Sequence, residues 1–240
     1  MIPWLAPGME FPPVVQALDS PNGLLAATAV VTAPRLIEAY RQGIFPWYSE
    51  GEPVLWWSPD PRMVLFTDEL RVSRSLRKRA RAFASEPATA ICLDRDFVGA
   101  MRACAEPRSD HPGTWITDDI IDSYAELHRH GLAHSIELWS HDACIGGLYG
   151  VAMGRMFYGE SMFSRERDAS KIALVALVRL LRNERVPVID CQQKTAHLAS
   201  LGAREIKRSE FCAMVAEAVQ APSIDWSRYA DRNLNELLTE

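Results

Sequence analysis

Three apolar runs separated by almost nothing dominate the middle of the chain. They are HSIELWS (134–140), ACIGGLYGVA (143–152) and RMFYGESMF (155–163), joined by His-Asp and Met-Gly. A two-residue connection closes an antiparallel hairpin, whereas a parallel pair needs a crossover of about a dozen residues or more. The runs therefore predict an antiparallel meander. A helix over 168–183, apolar on nearly every side, follows and has to be buried against that sheet. Further strands are predicted at MVLFT (63–67), ATAICLD (88–94) and VPVIDCQ (186–192). Helices are predicted at RVSRSLRKRARAF (71–83), DRDFVGAMRACAEP (94–107), TDDIIDSYAELHRHG (117–131), TAHLASLG (195–202) and near 208–219. In the third of these Thr117 fits the N-cap and Gly131 the position after the C-cap. This order specifies an α+β fold with a mostly antiparallel central sheet.

Texture divides the chain. Residues 1–62 hold ten of the fifteen prolines and four of the seven tryptophans. One helix, APRLIEAYRQG, stands out there, with Pro34 in its first turn and Gly43 at its stop. The expected organisation is a small irregular lobe over 1–62 and a catalytic domain over 63–240. A net charge of −5 argues against general nucleic-acid affinity and leaves room for a local basic patch. Five scattered cysteines without a C-x-x-C pair speak against a zinc ribbon and for a reducing cytoplasm. The proline-broken N-terminus lacks the basic region of a signal peptide. The longest apolar helical stretch, Ile172–Leu181, contains Arg179 and is too short to cross a bilayer.

Glu160 is the outlier of the meander, a lone carboxylate in an apolar run. A buried carboxylate is paired, protonated or used. Asp190 and Gln192 share one face at the end of the VPVIDCQ strand, where a site and a turn are about equally good readings. His197, on the short helix behind them, reads more readily as structural. The glycines of GGLYGVAMG match neither a dinucleotide-binding nor a phosphate loop; bulges and close backbone approach explain them, and so would room for a ligand. Arg71, Arg74, Arg77, Lys78, Arg79 and Arg81 lie within eleven residues with no acid among them. Such a run is either a solvated face or a phosphate-binding patch. The Trp47, Tyr48, Trp56 and Trp57 group is core, or a platform for stacked bases.

AYRQGIFPWYSEGEPVLWWSPDPR, GTWIT, GGLYGVAMGRMFYGESMFS and DCQ…HLASLGA, in this order, resemble the leucyl/phenylalanyl-tRNA–protein transferase family. The resemblance runs from about Asn22 to Ile206. After NGLLA this chain has ATAVVTAP in place of the family's GGDL-like turn. The resemblance implies a small N-terminal lobe joined to a GNAT-like acyltransferase domain. It implies transfer of Leu or Phe, less readily Met, from aminoacyl-tRNA to proteins or peptides that begin with Arg or Lys, marking them for degradation. Glu160 would hold the α-ammonium of the aminoacyl group. Leu148, Met156, Phe157, Tyr158, Phe163 and Leu177 would wall its side chain. Asp190, positioned with or acting through Gln192, would serve as base for the acceptor amine and attract its cationic residue. Arg71, Arg74, Arg77, Lys78 and Arg81, with Trp47 and Trp115, would bind tRNA. Neither metal nor cofactor is implied, and a cytoplasmic monomer is expected. A CoA-dependent GNAT-type acetyltransferase is the alternative, but the Q/R-x-x-G-x-G/A loop it needs at a helix start does not occur before residue 117 or 168.

Overall fold

The computed structural model describes residues 2–107 and 114–239; Gly113 of the GTWIT stretch lies outside them. Elements run in the order β1 (Leu24–Thr28), α1 (Ala33–Tyr40), β2 (Phe45–Pro46), β3 (Val54–Trp57), β4 (Arg62–Phe66), α2 (Arg74–Ser85), β5 (Thr89–Leu93), α3 (Phe97–Ala105), α4 (Asp118–Arg129), β6 (Ala133–Ser140), β7 (Ala143–Met153), β8 (Met156–Ser164), α5 (Ala169–Asn183), β9 (Val188–Gln192), α6 (Ala196–Ser200), β10 (Arg204–Ile206) and α7 (Arg208–Ala218). Side-chain oxygens of Thr32, Ser73, Asp96, Thr117 and Thr195 accept a backbone N–H and start α1, α2, α3, α4 and α6. Gly131, at φ +69°, ends α4 as expected.

The N-terminal lobe is more regular than its prolines suggest. β1, β3 and β2 form a three-stranded antiparallel sheet in that order. Pro46 sits on the edge strand, where a missing N–H costs least. Trp56 is fully buried and donates its Nε1–H to Thr28 Oγ1 at 3.0 Å. The ATAVVTAP departure falls on the end of β1 and its exit into α1.

The main sheet has seven strands in the order β10-β4-β9-β8-β7-β6-β5. The meander β6-β7-β8 is antiparallel, as its connections require. β8 and β9 are parallel, which the long α5 crossover between them permits. The sheet is therefore mixed. One face is covered by α3, α4, α7 and the lobe, whose residues share a single core. The other is covered by α2, α5 and the C-terminal residues Trp226 to Leu238. The boundary expected at 62/63 falls on the first residue of β4, and the shared core runs across it.

Two irregularities position the site. β8 and β9 pair only at Phe157↔Ile189 and Tyr158↔Asp190, although β8 continues to Ser164. At this parting each strand carries a bulge. The β7–β8 register jumps from Tyr149↔Ser161 to Gly150↔Gly159, which leaves Glu160 as the extra residue. The β4–β9 register jumps from Met63↔Gln192 to Val64↔Asp190, which leaves Cys191 extra. Bulges bend a strand and re-aim its side chains. Gly150 lies against the first one: a Cβ there would sit 2.3 Å from the Tyr158 carbonyl and 2.5 Å from the Phe157 ring. Gly150→Ala should cost about 1–3 kcal/mol by overpacking, read as a lower urea midpoint at unchanged slope.

Candidate functional site

A cavity of about 830 Å³ opens where β8 and β9 separate. Gly159 to Arg165 line it from β8 and its exit, and Ile189 to Gln193 from β9 and its exit. Glu160 stands between the strands. Its Oε1 accepts from the Tyr40 hydroxyl at 2.7 Å and from Gln192 Nε2 at 2.9 Å. Its Oε2 is within 3.2 Å of the Tyr124 hydroxyl. The two tyrosine oxygens are themselves 2.5 Å apart. Gln192 reaches this position from a left-handed backbone, φ +60°, with its N–H donated to Asp190 Oδ1 at 2.9 Å.

Enclosure by protein pushes the Glu160 carboxyl up to about 7, against the Tyr40 and Gln192 bonds that favour its ionised form and with the Asp190 charge adding to the rise. Tyr40 and Tyr124 are pushed well above the ordinary phenol value, chiefly by burial and then by the Glu160 charge. They remain neutral donors. The arrangement is a carboxyl group with a pKa near 7 that lines a cavity among neutral donors, and chemically such a group can receive a cationic N–H.

Asp190 differs from the expectation for it. It is fully buried, and both its oxygens accept from Arg62, Nε at 2.8 Å and Nη2 at 2.6 Å. A carboxylate saturated in this way cannot meet an incoming amine. Its second contact, the Gln192 N–H, makes it the group that positions Gln192.

Of the six expected wall residues, Leu148, Phe163 and Leu177 line the cavity. Met156, Phe157 and Tyr158 do not. They precede the parting, where β8 is covered on both faces, so they are core. Met162, Leu174 and Ile189 complete the apolar wall instead. Trp47, 44% exposed, and Trp115 also line the cavity, away from the basic run. In that run Arg74, Arg77, Lys78 and Arg81 are exposed on α2. Arg71 precedes the Ser73 cap and so lies outside the helix, which the sequence predicts to start at 71, and its N–H bonds the Leu201 carbonyl. Arg79 pairs at 3.1 Å with Asp168, the residue before α5. His197 lines the cavity with Nε2 buried and unpartnered, and burial lowers its pKa. Among the described residues, Asp94, His128 and His134 group closely enough to suggest a cation site. It lies outside the cavity, and three of its ring nitrogens, His128 Nδ1 and both of His134, already bond Ala133, Asp94 and Gly131.

Sequence reasoning missed Tyr40, Tyr124 and Arg62. Both tyrosines sit at apolar positions of amphipathic helices, where a phenol reads as core. Arg62 lies 128 residues from its partner.

Comparison with known proteins gives one result. Residues 64–216 match the family profile described as leucyl/phenylalanyl-tRNA protein transferase, and residues 30–60 match its N-terminal domain. The leucyl/phenylalanyl-tRNA–protein transferase of Burkholderia ambifaria (strain MC40-6) is 58% identical, over 94% of this chain and 91% of that protein. That of Paraburkholderia phytofirmans is 56% identical, over 94% of each. Among solved structures, L-PGS from Bacillus licheniformis aligns at a TM-score of 0.39 and 11% identity, over 72% of this chain and 54% of that one.

Two outcomes are expected. The Glu160 carboxyl titrates near 7 in the fold against 4.5 as a free side chain. Its contribution to stability is therefore complete below about 4.5 and is lost as pH rises through about 7. Glu160→Gln lacks that dependence, so its stability relative to wild type should rise between pH 5 and 8, by on the order of 2–3 kcal/mol. Denaturant titrations at both pH values measure this. Asp190→Asn strips Arg62 of its counter-charge and should destabilise by about 3–5 kcal/mol, seen as a depressed unfolding midpoint before any assay of activity.

Proposed function

The chain belongs to the leucyl/phenylalanyl-tRNA–protein transferase family, an aminoacyltransferase family, and from that premise we propose that the cavity between β8 and β9 is where the aminoacyl ester meets the acceptor amine. The observation that carries this reading is Glu160, which lines the cavity and is held by Tyr40, Tyr124 and Gln192. An aminoacyl ester carries a free α-ammonium beside its reacting carbonyl. A carboxylate at the mouth of an apolar pocket binds that group, and the ammonium in turn keeps Glu160 ionised. The side chain then lies against Leu148, Met162, Leu174, Leu177 and Ile189. Such a wall separates Leu, Phe and Met poorly, since one methylene is worth about 1–3 kcal/mol.

The reaction is aminolysis. The acceptor's lone pair forms the amide bond, the ester C–O bond breaks, and the amine proton ends on the departing ribose hydroxyl. An α-amino group has a pKa of about 7.7–8.0, so a useful fraction is already neutral near pH 7. Positioning is then the larger task. Gln192 donates its side-chain N–H to Glu160, which leaves its side-chain carbonyl to accept from the attacking amine. Asp190 and Arg62 hold Gln192 in place. Acceptors beginning with Arg or Lys, and their marking for degradation, complete the reading. So do a GNAT-like topology, supported by the parting of two parallel strands at the site, and a lobe formed by the residues before β4. A monomer in a reducing cytoplasm fits the five free cysteines.

The exposed cations of α2 suit the tRNA backbone. Arg79 of α2 pairs with Asp168, two residues before Ser170 of the cavity lining, and Arg71 abuts the turn after α6. A tRNA lying on α2 would thus bring its acceptor end to Glu160. Incubation with leucyl-tRNA and an Arg-initiated peptide should yield the Leu-extended peptide by mass; no product from wild type would refute the reading. Glu160→Ala should lose most of the rate. Alanine at Arg74, Lys78 and Arg81 together should raise KM for leucyl- and phenylalanyl-tRNA alike. It should flatten the salt dependence of binding by roughly 0.7–0.9 log units per lost phosphate contact, and leave a small aminoacyl ester unaffected.

A further inference from the structure

We infer that Glu160 carries a proton while the cavity is empty, held in a closed circuit with the Tyr124 and Tyr40 hydroxyls, and that the donor's ammonium binds by displacing that proton to solvent. Tyr124 is then a positioning residue that sets the charge of Glu160. The inference rests on the reading of Glu160 as receptor for the donor's ammonium and goes further, because it says in which protonation state the receptor waits.

A proton count decides the state. Three contacts between oxygens close the circuit: Tyr124 to Tyr40 at 2.5 Å, Tyr40 to Glu160 Oε1 at 2.7 Å, and Tyr124 to Glu160 Oε2 at 3.2 Å. Each hydrogen bond between two oxygens needs one proton, and two neutral phenols bring two. Whichever way the bonds run, the third proton has to sit on the carboxyl group. Oε1 also accepts from Gln192 Nε2 at 2.9 Å, as the carbonyl oxygen of an acid would. The direction is therefore Oε2–H to Tyr124, Tyr124 to Tyr40, and Tyr40 to Oε1. Bonds that run one way around a circuit strengthen one another. An ionised Glu160 in the empty site leaves one of the three contacts without a proton, with oxygen lone pairs opposed where water does not reach.

The surrounding groups favour the acid. Tyr40 of α1 and Tyr124 of α4 are fully buried. On β9 Asp190 adds its negative charge, and Arg62 of β4, which could offset it, is held by both oxygens of that same Asp190. On β7 Tyr149 brings a buried hydroxyl that has no partner among the described residues. The cavity side carries His197 of α6, whose pKa burial lowers, and Glu106 and Arg165, which pair with each other. Enclosure raises the Glu160 carboxyl to about 7, in keeping with the count.

An arriving ammonium supplies the proton that the circuit lacks once Glu160 ionises. The Oε2–H bond breaks, its proton leaves for solvent, and an N–H of the ammonium donates to Oε2 in its place. No bond of the substrate changes. The donor nitrogen keeps its three protons and has no lone pair with which to attack another ester, so the acceptor's amine is left as the nucleophile.

Calorimetry tests this with 3′-leucylamino-3′-deoxyadenosine, the stable amide analogue of the aminoacyl end, in two buffers of different ionisation enthalpy. The difference in heat counts protons. With Glu160 at about 7 and a free α-amino group at about 7.7–8.0, binding should release about 0.9 proton at pH 6 and take up about half a proton at pH 8. The N-acetyl form of the analogue, which has no ammonium, should bind more weakly and release none. Glu160→Gln imitates the acid, since its amide can donate to Tyr124 and accept from Tyr40; it should fold as wild type does and release no proton at pH 6. Tyr124→Phe removes the acceptor of the acid's proton, so the pH at which release gives way to uptake should fall. Wild-type binding without proton release at pH 6, release by Glu160→Gln equal to wild type, or a crossover that Tyr124→Phe raises or leaves in place overturns the inference. Equal affinity for the analogue and its N-acetyl form, or release on binding an Arg-initiated peptide and not the analogue, refutes instead the reading of Glu160 as the donor's receptor.

Discussion

Arg62 holds four parts of this molecule together. It sits on β4 and clamps Asp190 of β9 through two hydrogen bonds. The flat guanidinium also lies 4.7 Å from the Phe45 ring of the lobe and 4.5 Å from the Phe211 ring of α7. One group therefore joins the lobe, two central strands and a covering helix. Desolvating it is costly, and a matched bidentate carboxylate with two aromatic faces is what offsets that cost. The return is geometric. With Asp190 held, Gln192 is held, and Gln192 is one of the three donors to Glu160.

The site is built against the sheet's regularity. An unbroken β8 would alternate evenly between the two cores, and an unbroken β9 would remain beside it. Instead one extra residue in each strand falls where the strands part, and the added residue of β8 is Glu160. Its poise follows from position. Glu160 is enclosed enough to sit near neutrality, yet three neutral donors and an open cavity make ionisation reachable when a cation arrives. A fully satisfied carboxylate would have nothing left for a substrate, and an isolated one would remain protonated.

How much of this is legible in the sequence depends on the range of the interaction. The meander could be read because two-residue connections leave one geometry, and α4 because Thr117 and Gly131 mark its ends locally. Glu160 stood out because a lone carboxylate in an apolar run is costly to bury, and it does line the cavity. The lobe strands were hidden, since Pro46 and its neighbours suppress the usual pattern while pairing rescues it. The pocket wall that the resemblance implied took in Met156, Phe157 and Tyr158 as apolar neighbours of Glu160 in sequence; they lie before the parting and are core. Asp190 was legible by place but its bidentate partner was not, because Arg62 lies far away in the chain and nothing near Asp190 announces it.

On the proposed reading two different molecules meet at one bond, and the break in the sheet supplies the place for it. Beyond the parting the cavity has an apolar wall that includes Leu174, Leu177 and Ile189 of the α5-side core, while Glu160 and Gln192 face each other at 2.9 Å in the gap between β8 and β9. A hydrophobic donor side chain would be drawn to that wall and its ammonium to Glu160, since the reverse placement is unfavourable on desolvation alone. Bringing the ammonium, the ester carbonyl and the attacking amine to one point would itself be a catalytic contribution for a reaction whose nucleophile is partly neutral and whose ester is already activated.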